Sequence, residues 1–197
     1  MEKGLFVTIS GPSGVGKGTV IDILRERLPQ AVFLVSCTTR EPRPGEVDGE
    51  VYNFISEEEF KRWIDEGKFL EWALVHHGAY YGTLKEPVLK ALDAGKVIIR
   101  EVDLQGDRLI KQTIPRDQLV SIFIKPENIN QLIARINHRG EMSEEELSRR
   151  LESARIELAA AGEFDYQVTN SDGQSLKCFM EVSDIIRSRA SSKGLAF

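Results

Sequence analysis

The chain has 197 residues, 29% charged and 41% apolar, with a formal net charge of −5. That length suits one soluble globular domain with a sizeable core, and the acidic balance weighs against a duplex nucleic-acid partner while leaving room for local basic pockets. No apolar stretch approaches the length of a membrane span, the first ten residues read as a core strand, and Cys37 and Cys178 have no paired spacing, so a cytoplasmic protein without disulfides is expected.

The apolar run Leu5-Phe6-Val7-Thr8-Ile9 reads as a buried strand. It leads into Gly11-Pro12-Ser13-Gly14-Val15-Gly16-Lys17-Gly18-Thr19, and the helical pattern Val20, Ile21, Leu24, Leu28 follows. Strand, glycine-rich loop and helix together form the setting of a phosphate-binding loop. Its backbone N–H groups curl around an anion, the helix N-terminus adds partial positive charge, and Lys17 reaches toward the outer phosphates of a nucleoside triphosphate. Residue 18 is Gly where the usual pattern has Ser or Thr, so the candidate hydroxyl ligand for Mg²⁺ moves to Thr19. The competing reading is a glycine-rich turn with a chance lysine.

Ala31–Ser36 is expected to be a second buried strand, and the polar, proline-broken stretch Thr38–Gly45 a loop at its end. Val51–Ile55 is a short strand candidate. Ser56-Glu57-Glu58-Glu59 is a capping box for a helix closed by Gly67, Phe69–Val75 is another strand, and His76–Gly82 a turn-rich return. Residues 37–83 thus form a small strand-rich lobe inserted in the core. Thr83-Leu84-Lys85-Glu86-Pro87 reads as a second capping box. Val97–Val102 and Leu119–Ile124 are core strands, with a helix over Asp107–Gln112 between them.

From Pro126 to Gly162 the chain is helical and rich in charge, with a third capping box at Ser143. It is either a mobile lid or a solvated hairpin. Tyr166–Thr169 is a final strand, a helix carrying Leu176 to Ile186 follows, and a frayed tail is expected after about Ser188. Alternating strands and helices predict an α/β fold, a parallel sheet flanked by helices.

In such a sheet ligands collect beyond the carboxyl ends of the strands. Those ends carry the glycine-rich loop, Ser36 with Thr38–Arg43, Glu101 and Asp103, and Asn170. Glu101 and Asp103 stand where P-loop proteins keep the acid that organises Mg²⁺, although Asp103 also suits the N-cap of the next helix. Arg40 and Arg43, three apart on a stiff loop, can grip a second phosphate, or belong to a solvated basic turn. Tyr52 and Tyr81 are either phenolic donors to that phosphate or packing residues. Glu71 sits in the apolar segment Phe69–Ala73 and needs a partner, and guanine offers two adjacent donors, N1–H and the 2-amino group. His76, His77 and His138 read as loop residues.

With its motifs in order, the chain resembles a guanylate kinase from Leu5 to about Ile186. They are G-P-S-G-V-G-K at 11–17, S-C-T-T-R-E-P-R-P-G-E at 36–46, G-E-V-Y-N-F at 49–54 and F-L-E-W-A at 69–73. They continue with Y-Y-G-T at 80–83, V-D-L-Q-G at 102–106 and R-x-x-x-R-G at 135–140. The T-T-R-x-P-R-P-G-E stretch is the most specific of these. The resemblance implies Mg²⁺-dependent phosphoryl transfer from ATP to GMP, with activity on dGMP not excluded. It implies a P-loop core (1–36, 84–125, 161–197), a GMP-binding lobe (37–83) and a helical lid (126–160).

By motif position, Gly11 through Thr19 and Asn170 would bind ATP. Arg40, Arg43, Tyr52 and Tyr81 would bind the GMP phosphate, while Ser36, Glu71, Thr83 and Asp103 would read guanine. Lys17 with Arg135, Arg139 and Arg150, aided by Arg40, would surround the transferring group, and Thr19 and Glu101 would serve the metal, directly or through water. The family admits Ser, Thr or Gly at position 18. It usually has Asp where Glu101 stands, one residue fewer between Glu71 and Tyr81, and Asn-Asp-Asp where Asn170-Ser171-Asp172 occurs. Two rivals are a non-catalytic guanylate-kinase-like binding module and a P-loop kinase with another acceptor. The intact phosphate loop and arginines, and the absence of flanking partner domains, argue against the first, and Glu71 with the T-T-R-x-P-R run against the second.

Overall fold

The computed structural model describes residues 3–50, 52–74, 78–137 and 143–197, with the side chains of Asn137 and Glu144 also set aside. In chain order the elements are β1 (Leu5–Ser10), α1 (Lys17–Arg27), β2 (Ser36–Thr38), β3 (Tyr52–Phe54), α2 (Glu57–Asp65), β4 (Phe69–Leu74), β5 (Tyr80–Leu84) and α3 (Lys85–Asp93). There follow β6 (Val97–Glu101), α4 (Leu104–Thr113), β7 (Leu119–Lys125), α5 (Ile129–Asn137), α6 (Glu144–Ala159), β8 (Tyr166–Thr169) and α7 (Ser175–Ser192).

The core sheet has the order β6-β1-β7-β8, and every pairing in it is parallel. Parallel strands covered on both faces read as near-continuous apolar runs, as β1 and β7 do apart from Thr8, Ser10, Ser121 and Lys125. Alternate residues of β1 serve the two faces. Leu5, Val7 and Ile9 pack with Val20 and Leu24 of α1 and with Val182 and Ile186 of α7. Phe6 packs on the other side with Val88 of α3 and Ile110 of α4. Thr8 shares that second face and donates to Asp107 Oδ1 at 2.6 Å, while Lys111 Nζ lies 2.6 Å from Asp107 Oδ2.

The second sheet, β3-β2-β5-β4, has an aromatic core. Phe60 of α2 stacks on Phe69 with ring centroids 4.3 Å apart. A Cβ at Gly82 would come within 2.8 Å of Phe69 and 3.0 Å of Phe60, so only glycine admits that stack. The strands of this sheet lie between Ser36 and Leu84.

Three expectations are corrected. Residues 31–35 form no strand of the core sheet. Only Val32 bridges to Ile98, residues 31–35 are half-buried, and the Leu34 carbonyl accepts from the Arg100 side chain at 2.8 Å as the chain leaves for β2. Thr83 is not a capping residue. It belongs to β5, the N-cap of α3 is Leu84, and the Thr83 hydroxyl is turned to Glu71. The C-terminus is not frayed after Ser188. Ala190 is fully buried, Leu195 and Phe197 pack on the core, and Lys193 donates to the Asp117 carbonyl at 2.9 Å.

The serine half of the capping boxes at Ser56 and Ser143 forms, each hydroxyl accepting from the N–H three residues on, while Glu59 and Glu146 pair with Arg62 and Arg150. Asp103 likewise caps α4. Leu132 and Ile136 of α5 and Ala154 of α6 are buried in the same cluster as Val15, so these helices are seated on the core.

Candidate active site

Gly11, Gly14 and Gly16 all have positive φ, which curls the loop between β1 and α1. At Gly11 the requirement is absolute, since a Cβ would meet the Ile124 carbonyl oxygen at 2.1 Å. Lys17 folds back inside the curl and donates to the Gly11 carbonyl at 2.5 Å and the Pro12 carbonyl at 3.2 Å, with Glu101 3.7 Å away. The loop, Lys17, Glu101, Asp103 and Glu157 enclose a cavity of about 340 Å³. Burial pushes the Glu157 carboxyl above the ordinary carboxylate range, with Lys17 pulling against it.

The loop is also held from behind. Val15 offers one carbonyl to two donors, Arg135 Nη1 and Asn170 Nδ2, both at 2.8 Å. Arg135 is fixed further by the Asn170 carbonyl and by Asp172. Arg135 and Asn170 therefore support the loop from outside this cavity. Arg150 pairs with Glu146 one turn away on α6, and Thr19 is exposed on the first turn of α1 and lines neither cavity of the site. Arg139 lies outside the described residues, as do His76, His77 and His138.

A second cavity, of about 470 Å³, opens between the core and the small lobe. Ser36, Tyr52, Glu71, Tyr81, Arg100 and Asp103 line it. It shares Gly18, Glu101, Val102 and Asp103 with the first, so the two form one cleft at the carboxyl ends of β1 and β6. Glu71 accepts a 2.5 Å hydrogen bond from Thr83 Oγ1. Burial raises the Glu71 pKa, and the Thr83 bond and Arg100 hold it back. Asp103 spends Oδ1 on the N–H of Gly106 at 2.7 Å, so its capping role and its place in the cavity wall coexist.

Arg40 is bound by both carboxylate oxygens of Glu46, at 2.8 and 3.0 Å, and by the Tyr81 hydroxyl at 3.2 Å. Its guanidinium lies over the Tyr52 and Phe54 rings. Glu46 also accepts from the backbone N–H of Arg43, whose side chain is exposed. The hydrogen bonds from Arg40 and from the Arg43 backbone hold the Glu46 carboxyl below the usual range. The carboxylate of Glu46 thus fixes the Arg40 guanidinium against the Tyr52 and Phe54 rings.

Three residues of the cleft and its supports escape a reading of the sequence: Glu46, Arg100 and Glu157. Glu46 lies inside the quoted T-T-R-E-P-R-P-G-E motif, and Arg100 interrupts an apolar strand as Glu71 does, which is a usable signal. Glu157 sits on a helix whose charged residues cannot be ranked without the packing.

The two cavities form a continuous cleft. Asp103 lies in the wall they share, and no cluster of three metal-ligating side chains occurs among the described residues. The guanylate kinase family model matches residues 3–188. A guanylate kinase from Nocardia farcinica is 49% identical over 87% of this chain and 88% of its own length, and one from Synechocystis 48% over 86% and 87%. The crystal structure of guanylate kinase from Anaplasma phagocytophilum superposes with a TM-score of 0.75 at 28% identity, covering 96% of this chain and 88% of that one. With the family model spanning almost the whole chain and these relatives matching most of it, this protein belongs to the guanylate kinase family.

Proposed function

We propose that the protein transfers the γ-phosphoryl group of ATP to GMP, giving ADP and GDP, with dGMP as a second acceptor, in cytoplasmic purine nucleotide metabolism and GMP recycling. The observation that carries this reading is the shared wall of the two cavities, Gly18, Glu101, Val102 and Asp103. A triphosphate on the glycine loop and a monophosphate whose base reaches Glu71 would bring donor and acceptor phosphates together there. Arg40, Arg43, Tyr52 and Tyr81 hold the acceptor phosphate, and Ser36, Glu71, Thr83 and Asp103 form the base end. The acceptor oxygen is already anionic, so in-line attack needs no general base. The work of the protein is positioning and charge neutralisation.

Lys17 leaves its carbonyl partners for the β- and γ-phosphates. Arg135, with Asn170, keeps the loop in shape for them. Lid arginines Arg139 and Arg150 approach on closure, which excludes the water that would hydrolyse ATP. The residues present fit a divalent cation carried on the phosphates. Mg²⁺ keeps several waters and takes one or two protein carboxylates, and Glu101 and Asp103 face the cavity with oxygen donors. Glu101 would hold it, directly or through water. When bound, the cation neutralises charge on the phosphate oxygens.

ADP formation from MgATP with GMP, AMP or no acceptor tests the reading. Rapid ADP release with GMP alone is expected, and in Lys17→Ala turnover falls on the order of 10²–10³-fold. GMP binding without turnover would instead make the protein a recognition module.

A further inference from the structure

Behind Glu71 stands Thr83, 1% exposed and absent from the cavity wall, and beyond it Arg100, which itself reaches that wall. Thr83 Oγ1 receives a hydrogen bond from Arg100 Nε at 3.1 Å, and Arg100 Nη1 donates to the Leu34 carbonyl at 2.8 Å. A guanidinium has donors only and keeps its charge. A hydroxyl has one proton, so Thr83 accepts from Arg100 and gives its proton to Glu71 Oε1, 2.5 Å away. The chain of donors runs one way, from Arg100 through Thr83, and ends on a carboxylate that accepts. With its proton committed there, Thr83 has none to give a base carbonyl, whereas Ser36, Tyr52 and Tyr81 bring hydroxyls to the cavity wall.

We propose that Arg100 is a specificity-determining positioning residue of the acceptor-base pocket: through Thr83 it keeps Glu71 a pure acceptor, so the pocket selects a purine presenting two adjacent donors, N1–H and a 2-amino group. The inference rests on the reading of Glu71 as the base-reading residue. The charged groups facing Glu71 are Arg100 from β6 and Asp103 from the head of α4. Burial pushes the Glu71 pKa up and Asp103 adds to that, while the Thr83 bond and the charge of Arg100 pull it down. A protonated Glu71 would present a donor where the base also has one. Without Arg100, that state is reached at higher pH.

The test is calorimetric binding of GMP and of IMP, which lacks the 2-amino group, between pH 5 and 8. Wild type, R100M, R100K and T83V are compared, with folding checked by circular dichroism and ATP affinity. R100M is expected to lose roughly 10–100-fold in GMP affinity and less for IMP, so that discrimination collapses. Its acid limb for GMP moves to higher pH. R100K, which restores charge but not the two-armed grip on Thr83 and Leu34, returns the pH limb and only part of the affinity. Unchanged GMP/IMP discrimination and an unchanged limb in R100M overturn the proposal. If R100M does not fold, full discrimination retained in both R100K and T83V overturns it, and loss in T83V supports it. Wild type that prefers GMP to IMP yet forms no ADP overturns the kinase reading alone, whereas wild type that binds neither overturns the base reading beneath this proposal.

Discussion

Glu71 and Glu46 show how one residue type is shifted in opposite directions by its surroundings. Glu71 is buried beside the cavity and its pKa is raised, chiefly by desolvation. A raised folded-state value means that protonation starts at higher pH, and guanine needs the ionised form. The acid limb of kcat/KM for GMP should therefore lie above the ordinary carboxylate range, read from initial rates against pH. Glu71→Gln should abolish that limb and lower kcat/KM for GMP roughly 100-fold or more, because an amide offers one acceptor where two donors must be met. Glu46 instead holds the Arg40 fork in place before a phosphate arrives. In Glu46→Gln the KM for GMP should rise about tenfold with a smaller change in kcat, as expected when a charge-assisted contact that orients a binding group is lost.

At the scale of elements, the phosphate loop separates glycines required by conformation from those that are merely present. Gly11 combines positive φ with a Cβ clash against the Ile124 backbone, whereas Gly18 opens α1 with nothing within 4 Å of a Cβ. Gly18→Ala should raise stability by up to about 1 kcal/mol through helix propensity. Gly11→Ala should cost at least about 2 kcal/mol through strain and displacement of β7. Chemical denaturation of the two variants measures both. Helix starts were legible where a serine had no competing partner, at Ser56 and Ser143. The motif failed at Thr83 because a buried carboxylate on the neighbouring strand took its hydroxyl. The strand expected over 31–36 failed for a related reason, since the Arg100 side chain takes the Leu34 carbonyl.

At the scale of the whole molecule, Asp165 ties the entry of β8 to the entry of β7. It accepts from Arg116 and from both the backbone and hydroxyl of Ser121. Burial alone would raise its pKa, yet the bonds from Arg116 and Ser121 win and hold it below the usual aspartate value. With the folded value depressed, the stabilisation is complete above the unfolded-state pKa and is lost as pH falls through the folded one. Asp165→Asn should cost about 1–2 kcal/mol at pH 7 and flatten the acid arm of the stability curve, with denaturant midpoints at pH 7 and pH 3 giving the difference.

The apolar runs at 5–9 and 119–124, the glycine-lysine loop and the T-T-R-E-P-R-P-G-E stretch by themselves determined the parallel α/β core, the curled loop at its edge and the family. Each is a local pattern whose physical reason, burial on two faces or a cradle of N–H groups, is complete within a few residues. Tertiary structure alone decided which polar groups meet. It put Arg135 and Asn170 behind the loop on one carbonyl, Glu46 in the fork of Arg40, and Arg100 behind Thr83 and Glu71. A hydrogen-bond partner is chosen by whichever buried group would otherwise go unpaired, and that depends on residues brought together from distant parts of the chain.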